Sequence, residues 1–392
     1  MFFDVICRKT LNLCTFFPYN RGEAIYCMIK VGLVLSGALA KGAYQVGFID
    51  ALIEKIGRES IVGLSGASIG ACNAYGLAAN KMDAIKSVWA NFNYPSIFSI
   101  WKGIVLKNHT DKVFNVIFDD SDQLDIPLYV SSVSTFPALT FHYVKLEGKY
   151  HPDMRKFMKG AVGFPILTGG PKLYRKRLHT DGGVMDNIPI YPLTTLDVDL
   201  IIVLHFDPKF ELEKRLQLSK KTILEIDLSV CNNYLKQSFD FKQETLSKMY
   251  ESAYQYGKIM LDRLFSDYDH ENIKKRVHEI MAEESSERSK YKALDTWPSR
   301  MNRFFHKYRH KPDVITTLET QYMKTPPDKE VAYCEDCLKT MNPAKHFNWV
   351  FFAFTWWFGL GLFHFIHYRF FAKKVCPYCK KRHFEVISSS IT

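Results

Sequence analysis

Apolar and polar residues alternate along the first half of the chain in short blocks whose periods mark strands and helices in turn. Ile29 to Leu35, Ile-Lys-Val-Gly-Leu-Val-Leu, is a β-branched apolar run of strand length. Beyond a small-residue loop, Ser36 to Gly42, apolar residues recur at helical spacing at Tyr44, Phe48, Ala51 and Leu52, and Ser60 to Leu64 reads as a second strand. This order predicts a βαβ unit, with parallel strands and a right-handed crossover. The loops after both strands then leave the sheet at one edge, where open α/β sheets hold their ligands.

Further along, Leu128 to Ser132 and Thr140 to Leu146 read as strands, and Trp89 and Trp101 fall in helices. Asp199 to Asp207 is the plainest buried strand, and Thr222 to Leu228 is a shorter one. His179 to Pro189, with Asp-Gly-Gly followed by Asn and Pro, is a loop by composition. Phe241 to Leu264 has helical spacing, and the charged stretch 266–312 reads as solvated helices. Residues 1–28 lack clean periodicity and are expected to pack on the main domain as an N-terminal segment.

Composition narrows the class. The 392 residues suffice for a large core plus a smaller module, and 47% apolar content excludes a disordered chain. The balance of 52 basic against 41 acidic residues, net +11, suggests an anionic partner, nucleic acid or membrane. The surplus of aromatics, 30 Phe and 21 Tyr with many in one late block, points to a membrane first. The N-terminus does not read as a cleaved signal peptide, so the main domain is expected in the cytosol with its nine cysteines reduced.

The candidate chemistry sits on the two loops of the βαβ unit. Gly66-Ala67-Ser68-Ile69-Gly70 is a G-x-S-x-G pattern between a strand and a helix-compatible segment. In that setting the turn is tight enough to need Gly66 and Gly70, and it holds Ser68 out near a helix N-terminus. Serine attack on a carbonyl creates an oxyanion, and the small residues Gly37 and Ala38 would let backbone N–H groups approach it.

With these pieces in order, residues 29 to 265 resemble the patatin-like phospholipases. The likeness rests on the glycine loop Gly37 to Gly42 with its continuation Ala43-Tyr44-Gln45-Val46-Gly47, on the elbow, on Ala161 to Pro165, and on Asp181-Gly182-Gly183. The resemblance implies a Ser–Asp dyad without histidine: Ser68 as nucleophile, Asp181 as base, Gly37, Ala38 and Leu39 as oxyanion hole, with Lys41, Gly42, Gly66, Gly70, Gly182 and Gly183 in support. It needs no cofactor for catalysis. His179, two residues before Asp181, is expected to be structural or on the surface. One departure stands out. The family's loop usually reads Gly-Gly-Gly-x-Arg/Lys-Gly, and Ala38 and Leu39 here replace two of the glycines; positive φ at those positions would strain the hole.

The last part of the chain has its own logic. Cys334-x-x-Cys337 and Cys376-x-x-Cys379 suggest a four-thiolate zinc site, against the alternative of unrelated pairs or a redox site. Between them Phe347 to Phe371 holds nine phenylalanines and three tryptophans without Lys, Asp or Glu. It is long enough to span a bilayer once, but a single span would part the cysteine pairs and push Lys373, Lys374, Lys380, Lys381 and Arg382 outward. With Gly359-Leu360-Gly361 at its midpoint, a hairpin dipping into one leaflet is expected; a buried hairpin at the core of a homo-oligomer is the soluble alternative.

The expectation is therefore an α/β fold, a patatin-like three-layer sandwich around a mainly parallel sheet, with a small C-terminal zinc-ribbon-like membrane-hairpin module. Its parts are an N-terminal segment (1–28), a catalytic domain (29–312), a linker (313–333) and the zinc and membrane module (334–392). The function expected is a phospholipase A-type acyl hydrolase at the cytosolic membrane face, acting on membrane phospholipids, with regulation as an effector left open and with no nucleic-acid partner. The alternative is a catalytically weak patatin-like scaffold or sensor that binds a partner through the C-terminal module.

Overall fold

A computed structural model describes residues 29–91, 114–136, 140–150, 152–163, 172–174, 177–207, 221–231 and 240–290, with short stretches elsewhere. The N-terminal segment 1–28 and Trp101 lie outside the described residues. Two compact units emerge, Met1–Thr135 with Thr140–Ile315, and Phe136–Leu139 with Thr316–Thr392.

In chain order the first unit contains β1 (Val31–Leu35), α1 (Gly42–Ile56), β2 (Ile61–Gly66), α2 (Ile69–Ala78), α3 (Met82–Ala90), β3 (Gln123–Phe136), β4 (Thr140–Lys149) and α4 (Pro152–Ala161). There follow β5 (Lys172–Tyr174), β6 (Arg177–Asp181), β7 (Leu200–His205), β8 (Thr222–Asp227), α5 (Gln243–Leu264) and α6 (His270–Lys290). The sheet runs in the order β5-β6-β3-β2-β1-β7-β8, with β4 paired to β3. Its central pairs, β3–β2, β2–β1, β1–β7 and β7–β8, are parallel, while β3–β4 and β5–β6 are antiparallel. The fold is thus α/β with a mixed, mostly parallel central sheet.

Burial explains the apolar runs. All five residues of β1 and all six of β7 are buried, as strands covered on both faces must be. On one face Val34, Tyr129, Ile201, Val203 and Ile223 form a core with Ile188, Ile190 and Leu193 from the segment after β6. In α6 the apolar residues Ile273, Val277 and Ile280 form a narrow buried stripe, and the remaining face carries the charge seen in the sequence. Arg276 pairs there with Asp267, and Arg263 of α5 with Glu283.

Two expectations change. The strand expected at Leu128–Ser132 is the middle of a longer one, because its first half, Gln-Leu-Asp-Ile-Pro, mixes polar residues and a proline into the run. Asp181, expected in a loop, closes β6: the glycines that follow it dominate the local composition, and the strand before them is only five residues long.

In the second unit Val331–Cys334 pairs antiparallel with Lys339–Met341 and with Phe384–Ile387, and Ala344–Lys345 pairs antiparallel with Lys374–Val375. Phe347 and Tyr368 meet edge to face at 4.7 Å. These contacts bring together the two ends of the apolar segment, which a single straight span of that length would hold roughly 30 Å apart. Most of Phe347 to Phe371 lies outside the described residues, as do Cys337 and Cys379. Among the described residues no helix is long and apolar enough to cross a membrane, and no group of three or more His, Cys, Asp or Glu side chains could hold a metal.

Candidate active site

The parallel register of β1 and β2 pairs Leu35 with Gly66, so the chain leaves both strands at the same level. Ala67 N–H still donates to Leu35 O at 3.1 Å; the next residue is Ser68, at φ 52° and ψ −129°. Serine is strained there, and the geometry is that of a sharp strand-to-helix elbow with the side chain at its apex. The turn tolerates nothing larger than glycine at position 70, where a Cβ would lie 2.4 Å from Leu35 O and 2.6 Å from Ser36 O. A Cβ on Gly66 would lie 2.7 Å from Ala71 Cα. Ser68 is half-buried at the start of α2.

Asp181 arrives from two strands away. β6 runs beside β3, which runs beside β2, and β6 ends on Asp181. Gly182 presses against the β3 backbone, where a Cβ would come within 2.1 Å of Ser131 C. Asp181 is only 2% exposed. Its Oδ1 accepts from Gly183 N–H at 2.8 Å, while Oδ2 is buried without a hydrogen bond in good geometry. Burial raises this carboxyl to about 6; the neighbouring Ser68 hydroxyl and Gly183 N–H pull the other way without cancelling it. Asp181 is thus a stronger base than a surface carboxylate, facing the one hydroxyl that the elbow presents.

Two nearby groups stay outside this chemistry. The Cys72 thiol, one turn into α2, is pushed up to about 12 by burial and then by the charge of Asp181, so it stays protonated and inert. His179 is fully buried, with Nδ1 3.3 Å from Ser132 Oγ and its ring against the edge of Phe157, a structural role.

The glycine loop behaves differently residue by residue. Gly37 lies against Ser68, and its N–H is taken by Asn187, at 3.1 Å from Oδ1 and 3.3 Å from O. Ala38 keeps a negative φ, −149°, whereas Leu39 sits at φ 53°. Among the described residues no acceptor meets the N–H of Ala38 or Leu39. Lys41 lies 4.8 Å above the Phe206 ring, and burial lowers its amine to about 8 against the pull of Asp227 and Asp207. Its amine therefore sits by the ends of β7 and β8.

A buried polar chain, unforeseen in the sequence, fixes the loop from behind. Gln45 Nε2 donates to Ser36 O at 2.7 Å, and Asn73 Nδ2 donates to Gln45 Oε1 and Gly42 O at 3.0 Å. Trp89 Nε1 donates to Asn73 Oδ1 at 3.0 Å. Polar residues on otherwise apolar helix faces were the available signal, and Asn187 carried only the mark of a turn.

Residues 33–117 match the family model for patatin-like phospholipases. The crystal structure of VipD from Legionella pneumophila is similar at 14% identity, covering 66% of this chain and 74% of that one with a TM-score of 0.37. No curated protein matches the chain.

Proposed function

We propose that this patatin-like phospholipase domain hydrolyses acyl esters of phospholipids, with Ser68 as nucleophile and Asp181 as its base. The observation that carries the reading is the pairing of a serine at the apex of a strained elbow with a buried carboxyl raised to about 6. At neutral pH Asp181 is largely ionised and takes the Ser68 proton as Oγ bonds to the acyl carbon. The oxyanion forms beside the Gly37–Leu39 loop. As the intermediate collapses, the ester C–O bond breaks and the proton passes from Asp181 to the departing alcohol. Water then attacks the acyl-serine, gives its proton to Asp181, and releases a fatty acid as the proton returns to Ser68.

The three-layer packing of the family belongs to this reading, as does a site at the cytosolic face of a membrane. Support for the membrane comes from the aromatic, charge-poor segment Phe347 to Phe371 and from the antiparallel pairing at its base, which suits a hairpin. Anchoring would raise the local concentration of lipid. Zinc on Cys334, Cys337, Cys376 and Cys379 rests on the spacing of the two pairs, and enters no chemical step.

The test uses purified full-length protein with mixed phospholipid vesicles, reading released fatty acid and lysolipid for wild type, Ser68→Ala and Asp181→Ala. Release by wild type and its loss in both variants is expected; equal release by all three sinks the reading. The scaffold alternative draws on Leu39 at positive φ, and it requires that wild type release nothing on any membrane.

A further inference from the structure

Asn187 lies six residues after Asp181 and makes a two-point contact with a residue 150 positions earlier. Its Oδ1 accepts from Gly37 N–H at 3.1 Å, and its Nδ2 donates to Gly37 O at 3.0 Å. The side-chain amide thus pairs with Gly37 as a neighbouring strand would. The fit depends on two glycines: a Cβ on Gly37 would lie 2.3 Å from Asn187 Oδ1, and one on Gly183 would lie 2.7 Å from it. One amide is therefore wedged between the loop beside Ser68 and the turn that follows Asp181.

The consequence follows from peptide geometry. In a planar trans peptide the carbonyl of one residue and the N–H of the next point in opposite directions. With Gly37 O held by Asn187 Nδ2, the Ala38 N–H is turned away from Asn187. Release of that carbonyl would let the 37–38 peptide rotate and present an oxygen where a donor is needed. Gly37 itself has no donor to spare, since its own N–H is already given to Asn187.

We propose that Asn187 is a positioning residue: it clamps the 37–38 peptide so that Ala38 N–H, and not Gly37 N–H, serves the oxyanion. The inference rests on the acyl-hydrolase reading above. It ties the turn after Asp181 to the oxyanion loop, so that both are set by one side chain.

The experiment measures hydrolysis of 4-nitrophenyl butyrate by the full-length protein from pH 5 to 9, with Ser68 labelling by a fluorophosphonate alongside. Asn187→Ala is expected to lower kcat by about 100-fold or more, the loss of one oxyanion donor, with KM and the acid limb of the profile unmoved. Gly37→Ala, whose new methyl would lie 2.3 Å from Asn187 Oδ1 and 2.9 Å from Ser68 Cβ, should lose at least as much, and the double variant no more than Gly37→Ala alone. Asn187→Asp keeps an acceptor for Gly37 N–H but offers nothing to Gly37 O, and should fall with the alanine variant. It also decides the matter if Asn187→Ala does not fold. Wild-type kcat in Asn187→Ala or Asn187→Asp overturns the clamp, as does a loss in Asn187→Ala that moves with the acid limb, which would mark general loosening. If wild type neither turns over nor labels at Ser68, the hydrolase reading fails and the clamp with it; active wild type with unchanged variants overturns the clamp alone.

Discussion

Replacing Asp181 by asparagine should cripple activity and yet stabilise the fold, by an amount that grows between about pH 4 and pH 6 and is constant above it. The carboxyl is 2% exposed and burial raises it from the ordinary 3.8 to about 6. A folded-state value above the unfolded one means that the native state binds the proton more tightly. Below 3.8 both states are protonated and burial of this group carries no ionisation penalty; as pH rises from there through 6, stability is lost, and above 6 the loss is complete. At about 1.4 kcal/mol per pH unit, the shift corresponds to ~3 kcal/mol of destabilisation at pH 8. The substituted amide would keep the acceptor for Gly183 N–H, and would place a neutral group where Oδ2 lacks a hydrogen bond in good geometry. Thermal melts of wild type and Asp181→Asn at pH 4 and pH 8 provide the assay. The variant should melt on the order of 5 °C higher at pH 8 and together with wild type at pH 4. Loss of the base should lower turnover by about 10²–10⁴-fold. Coincident melts at pH 8, or a gap that persists at pH 4, would refute the assignment of the burial cost to this carboxylate.

Other outcomes follow from the same geometry. Ser68 at φ 52° and ψ −129° occupies backbone space that glycine tolerates and alanine does not. Ser68→Gly and Ser68→Ala should both be inactive, but the glycine variant should be the more stable in urea melts, because relief of about 1–3 kcal/mol of strain outweighs glycine's entropic cost of about 0.5–1 kcal/mol; equal midpoints would mean that the elbow stores no strain. For the C-terminal module, one zinc per chain is expected by elemental analysis, lost in Cys337→Ser and Cys379→Ser while hydrolysis of a soluble ester persists. Zinc retained in both variants would remove those thiols from the site.

The main unit was legible where burial is two-sided or chemistry is compact. Runs such as Val31–Leu35 and Leu200–His205 are apolar throughout because both faces are covered, and no other element type of that length reads so. The elbow was legible because a Cβ at position 70 would collide with two carbonyl oxygens, so the turn leaves its mark as a glycine. The strand ending on Asp181 was not, because a five-residue strand followed by two glycines has too little periodicity to outweigh turn composition. Gln45, Asn73 and Asn187 were silent for a different reason. Each has a backbone carbonyl among its partners, and nothing in the sequence records which distant carbonyl a side-chain amide will meet.

The departure at Ala38 and Leu39 now divides into two unequal parts. Ala38, at φ −149°, lies outside left-handed space and loses nothing there by not being glycine. Leu39, at φ 53°, carries the strain, of about 1–2 kcal/mol for an L-residue in left-handed space. That strain is held locally, for Lys41 N–H donates to Ala38 O and Gly42 N–H to Leu39 O as the chain turns into α1. Loss of a single oxyanion donor costs about 2.7–4 kcal/mol of transition-state stabilisation, more than the strain itself. A strained but fixed Leu39 therefore need not disable the hole, whereas a rotated 37–38 peptide would. What decides activity is the direction in which Gly37 O is held, and that depends on Asn187, a residue the glycine-loop motif does not contain.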